Sequence, residues 1–212
     1  MPDIKKNHYD EKSDIYNNHF IRSQRKVKKK RSWISLIIQF IVLILIGITG
    51  YSMYKQPIFN LVFADQPVNY EQIKTLQDTV TQIGALNINL SQLANFEDIT
   101  NRLVLIFNVY FMLVILSMII AIITIIFNRT LLKILNFIVI TILLVMSLYF
   151  SYAIQMIGQR IADKLQSYAL NINANQIIVE ADAIHNALIL LVSSLALLII
   201  SLFFRNRYPR LR

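Results

Sequence analysis

The sequence has no cysteine, and only four glycines and four prolines in 212 residues. Lack of a thiol excludes a disulfide framework, a zinc–cysteine site and a cysteine nucleophile. The scarcity of Gly and Pro excludes collagen-like and low-complexity chains. Charge is sparse as well: 16% of the residues are charged and 56% are hydrophobic, against roughly a quarter and a half in a water-soluble domain. That balance excludes an ordinary soluble fold.

The chain instead contains four long runs free of Asp, Glu, Lys and Arg: 33–54, 103–127, 134–157 and 183–204, the last with His185 and Asn186 near its start. About 20 helical residues, rising 1.5 Å each, cross the roughly 30 Å hydrocarbon core of a bilayer. The runs are rich in Ile and Val, which favour strands in water. In lipid, however, an isolated strand leaves its backbone groups unpaired, and barrel strands are alternating segments of about ten residues. The expected fold class is therefore all-α, an integral membrane four-helix transmembrane bundle with a small helical extracytoplasmic region. The first run is too long for the apolar part of a secretory signal, so it is expected to remain as a span.

Basic residues set the expected orientation. The segments 1–32, 128–133 and 205–212 together carry sixteen Lys or Arg and four acidic groups, whereas 55–102 and 158–182 carry five and eight. The positive-inside rule then puts both termini in the cytoplasm. Trp33, Phe127, Phe203 and Phe204 would mark the inner interface, and Tyr51, Tyr54, Tyr149 and Tyr152 the outer one. Cysteine-free outer segments and heavy use of Ile, Asn and Lys suggest a bacterial plasma-membrane protein. Four spans with the larger outer segment first resemble the claudin and tetraspanin layout in topology alone. Those families rely on outer cysteines, so the resemblance implies no residue role here.

Residues 1–32 lack apolar periodicity and are expected to be a disordered basic cytoplasmic tail. Within them Arg22, Arg25, Lys26, Lys28, Lys29, Lys30 and Arg31 form a juxtamembrane cluster. Such a cluster orients the chain and attracts an anionic inner leaflet by roughly 1 kcal/mol per side chain. Nucleic acid is not expected as a partner, because no aromatic residues interleave with the basic ones.

The 55–102 connection is long enough to have structure of its own. Asn69 and Gln72 resemble a capping pair, and Ile73, Leu76, Val80 and Ile83 recur at helical spacing. After Gly84, Leu86, Leu90, Leu93 and Phe96 restore that spacing. Two short amphipathic helices, or one kinked helix leading into the second span, are the expectation, and Ile73, Leu76, Val80, Ile83, Leu86, Leu90 and Leu93 are candidate partner-binding residues. The third span should continue as a helix through Ile161 and Leu165, and a further helix could begin near Gln176. Ala85–Asn89 (ALNIN) recurs at 169–173, which admits an internal duplication of two hairpins.

The interior of the spans has no ionisable group to couple transport, and Gly47 and Gly50 alone could break a helix. Gln39, Asn108, Asn136 and Gln155 are expected to make interhelical hydrogen bonds. The best reactive cluster is Glu180, Asp182 and His185. Asp182 and His185 share a helix face at i, i+3, yet no catalytic or metal motif accompanies them. No catalytic residue, metal or cofactor is therefore assigned. The leading functional expectation is a non-enzymatic accessory, immunity-type or envelope-associated subunit that binds another membrane or envelope protein through its outer segments. Two other classes stay open: a small transport or channel component, and a membrane enzyme using Asp182 and His185.

Overall fold

Each charge-free run is helical in the computed structural model, which describes residues 33–62, 65–75, 80–83, 86–89, 96–166 and 173–204. The elements in chain order are α1 (Trp33–Lys55), β1 (Phe59–Leu61), β2 (Gln66–Val68), α2 (Tyr70–Thr75), β3 (Val80–Ile83) and β4 (Leu86–Asn89). They are followed by α3 (Phe96–Phe127), α4 (Thr130–Gln166), a 3₁₀ turn (Ala174–Gln176), β5 (Ile178–Glu180) and α5 (Asp182–Phe203). Helices α1, α3, α4 and α5 are long and apolar enough to cross a membrane, so the protein is a membrane-spanning four-helix bundle. The helices close a ring, α1 packing on α3 and α5, and α4 packing on the same two.

The helix faces that meet are chosen by size and polarity, since lipid rewards apolar surface on every side. From Ala187 onward the buried positions of α5 are Ala187, Leu191, Ser194, Leu198 and Ser201, spaced 4, 3, 4, 3. That mean of 3.5 is the repeat that keeps a seam facing its neighbours in a left-handed bundle. Small side chains bring the helices close: a methyl group at Gly50 would lie 2.8 Å from Val114 Cγ1.

Helices α3 and α4 are joined by Asn128 and Arg129 alone. Asn128 adopts a left-handed φ of 43°, which Asn tolerates better than most residues, and its amide donates to the Thr124 carbonyl at 2.7 Å. The helix thus begins at Thr130, and Lys133, expected in a six-residue turn, lies in the first turns of α4. At its other end α4 continues to Gln166, longer than a bilayer core requires and as the sequence pattern implied.

The opposite end of the bundle is covered by an antiparallel sheet in the order β2–β1–β5. This corrects the expectation of purely helical connections. Phe59, Leu61, Val68 and Ile178 face inward and join one continuous hydrophobic core with the bundle, worth about 1.5–3 kcal/mol for each side chain fully buried. Asn69 and Gln72 do form the reciprocal cap, at 2.8 and 3.0 Å, but the helix they start is only six residues long. Beyond it, β3 and β4 pair with Ile83 opposite Leu86, where helical spacing had been read. Likewise a strand, β5, follows Gln176, and the last helix starts at Asp182. The β-branched run Ile177-Ile178-Val179 supplies its pairing with β1.

Candidate functional site

At the sheet end the two connections form a single surface. Phe59 pairs with Val68 and with Glu180, and Asn60 with Pro67 and with Val179. Further bonds run from the Val62 amide to the Ile177 carbonyl at 3.0 Å and from the Ala183 amide to the Pro57 carbonyl at 3.2 Å. Strand alternation turns Pro67, Asn60 and Val179 away from the bundle in one exposed row, with Val62 exposed beside it. Pro67 on the edge strand lacks an N–H, which discourages pairing with another strand.

Beneath the sheet lies an aromatic layer. Tyr70 enters from α2, is buried, and donates its hydroxyl to Asn108 Oδ1 at 2.5 Å. Its ring meets Phe111 edge-on at 4.9 Å. Phe107 and Phe150 stack at 4.0 Å between ring centres, and both are fully buried. Tyr54 donates to Glu71 at 2.8 Å, which ties α1 to α2.

The other end of the bundle has a different interior. Lys133 is 4% exposed, and its ammonium donates to Ser35 Oγ and, at 3.2 Å, to the Ser201 carbonyl. Ser35 Oγ also donates to Asn128 Oδ1 at 3.3 Å and lies 3.1 Å from Ser201 Oγ. Gln39 Nε2 donates to Ser201 Oγ at 3.3 Å, while Ser117 donates to Asn136 Oδ1 at 2.7 Å. Gln39 Oε1 and Asn136 Nδ2 are buried without a hydrogen-bond partner. The buried polar contacts therefore include a cluster near Asn128, and the ring stack lies toward the sheet, within a core that is otherwise aliphatic.

Of the residues singled out in the sequence, Gln39 bonds across to α5, Asn136 to α3, and Asn108 to α2; Gln155 is exposed. Ile73 is buried in the core, so it is not available to a partner. Val80 and Ile83 lie on β3 and Leu86 on β4. Leu76, Leu90 and Leu93 lie outside the described residues, as do Arg22, Arg25, Lys26, Lys28, Lys29, Lys30 and Arg31 and most of the second ALNIN copy. Asp182 and His185 are both exposed in the first turns of α5, and Glu180 turns toward α4, accepting from Ser151 at 2.7 Å. Among the described residues no three His, Asp or Glu side chains gather where they could hold a metal ion.

Sequence reasoning missed two features. One is the buried position of Lys133, which had been counted as an interfacial charge. The signal available was helical spacing, because Lys133, Asn136 and Ile140 fall on one face with 3 and 4 residue steps. The other is the Pro67–Asn60–Val179 row, which depends on pairing between distant segments. No protein-family model, curated protein sequence or solved structure matches the chain.

Proposed function

We propose that the protein is a non-enzymatic partner-binding subunit of a bacterial plasma membrane, accessory, immunity-type or envelope-associated. Both termini are cytoplasmic, and the sheet-capped end lies outside. The charge distribution supports this orientation, since every acidic residue between Trp33 and Phe204 belongs to the segments at the sheet end. The partner-binding reading rests on one observation: two connections far apart in sequence are hydrogen-bonded into one sheet that buries its inner face and leaves a mixed polar and apolar row exposed. A linker needs no such face. The proposed contact is Asn60, Val62, Pro67 and Val179, in place of Ile73. A conduit within a single bundle is disfavoured by the stacked Phe107 and Phe150 across the core.

The test is photo-crosslinking from Asn60 and Val179 in cells, with lipid-facing Ile115 as control. One discrete membrane or envelope protein should be trapped from the first two positions, and Val179→Arg should release it without changing thermal unfolding. Equal capture from all three positions, or a self-sufficient conducting oligomer in liposomes, contradicts the reading.

A further inference from the structure

Among the described residues, Lys133 is a buried cation with no carboxylate beside it. Between Trp33 and Phe204 the acidic residues all lie in the segments at the opposite end of the bundle, and among the described residues the ammonium meets only Ser35 Oγ and the Ser201 carbonyl. Removing a charge from water without a counter-charge is unfavourable, and an ionisable group in a span is a pointer to function. An ammonium has three N–H donors, and two are used here.

Its position narrows what the counter-charge is. Lys133 is three residues past the start of α4, about 5 Å along the axis from Thr130. Trp33, Phe127 and Phe203, strongly exposed at the same end of the helices, place that end at headgroup depth. The free backbone amides at the start of α4 add partial positive charge there, and Arg129 beside them is exposed. The anion that a bilayer presents at this depth is phosphate. Gln39 Oε1, one turn from Ser35, is fully buried without a hydrogen-bond partner, an unused acceptor beside the ammonium's own partners.

We propose that Lys133, flanked by Ser35, Ser201 and Gln39, is the binding site of a phosphate group at the Asn128 end of the bundle. Either the headgroup of an anionic phospholipid or free phosphate supplies that chemistry. The phosphate meets the N–H of the ammonium that Ser35 Oγ and the Ser201 carbonyl leave unused. This site is separate from the exposed sheet face and does not depend on partner binding there.

The experiment uses the full chain in nanodiscs of phosphatidylcholine with or without phosphatidylglycerol. Lipid retained through delipidation is counted by native mass spectrometry, and inorganic phosphate binding is followed by calorimetry. Phosphatidylglycerol should be retained over phosphatidylcholine, with occupancy about tenfold lower in Lys133→Met, equivalent to one decade in affinity. Neutralising the seven basic residues from Arg22 to Arg31, which attract anionic lipid on their own account, should lower retention in the native chain and in Lys133→Met alike and leave the difference between the two in place. If the source is soluble, inorganic phosphate binds the native chain and not Lys133→Met, while both lipids are retained alike. Ser35→Ala keeps the ammonium but removes a hydroxyl of the site, so retention should fall part of the way, less than in Lys133→Met, and this variant carries the test even if Lys133→Met folds poorly. Binding of both phosphate sources alike by the native chain and Lys133→Met, unchanged binding in Ser35→Ala, or binding of neither phosphate source overturns the proposal.

Discussion

Asn60 of β1 stands opposite Val179 of β5 in an antiparallel pair, so the segment leaving the first span and the segment entering the last fold as one cap. The natural absence of cysteine makes this pairing directly measurable. Asn60→Cys with Val179→Cys should form a disulfide under mild oxidation, read as loss of labelling by a polyethylene-glycol maleimide and its recovery on reduction. Two thiols that stay reactive after oxidant would show that the segments are not paired.

Close approach of α1 and α3 predicts opposite outcomes for two neighbouring glycines. Gly50→Ala places a methyl group against Val114 Cγ1 and should destabilise the bundle by about 1–3 kcal/mol, the usual range for overpacking. Val114→Ala should recover part of the loss. At Gly47 the nearest atom to an added methyl is the flexible Met118 Cε at 3.8 Å, so Gly47→Ala should be neutral or mildly stabilising. Unfolding in detergent with increasing denaturant distinguishes them.

Tyr70 contributes both a ring and a hydroxyl where α2 meets α3. Tyr70→Phe keeps the ring contacts with Phe107 and Phe111 and should cost about 0.5–1.5 kcal/mol for the bond to Asn108. Tyr70→Ala removes a fully packed aromatic and should cost about 3–5 kcal/mol. Thermal unfolding that drops equally for both variants would show that the hydroxyl, not the ring, anchors α2.

Phe107 and Phe150 stack in the core between α3 and α4. Phe150→Ala should destabilise by about 3–5 kcal/mol, and combining it with Phe107→Ala should cost less than the sum, because each ring is the other's partner. Full additivity in a double-mutant cycle would argue against the stack.

The spans were legible because length and absence of charge suffice to identify them. Which face of each helix turns inward was not: Ile44 and Ile48 are exposed, while Val42 and Ile46 are buried, and hydrophobicity cannot separate them in lipid. The distinguishing signal is the placement of small and polar residues, as in the serine and alanine seam of α5. The sheet was missed for another reason. Short apolar repeats such as Val80–Ile83 and Leu86–Asn89 fit a helical spacing and a two-residue alternation equally well. For β3 and β4 their pairing with each other decides, and for β1 the pairing with distant β5 does. Lys133 was placed correctly along the chain but not in depth, since a charge next to a span is expected to point toward water.

The proposed orientation of the four-span bundle puts the sheet-bearing cap outside and the Asn128–Arg129 link inside. Single cysteines at Val62 and at Thr130, both exposed, test it with an impermeant maleimide on intact cells. Val62→Cys should label directly and Thr130→Cys only after permeabilisation; labelling of Thr130→Cys from outside, or of neither position before permeabilisation, would contradict it.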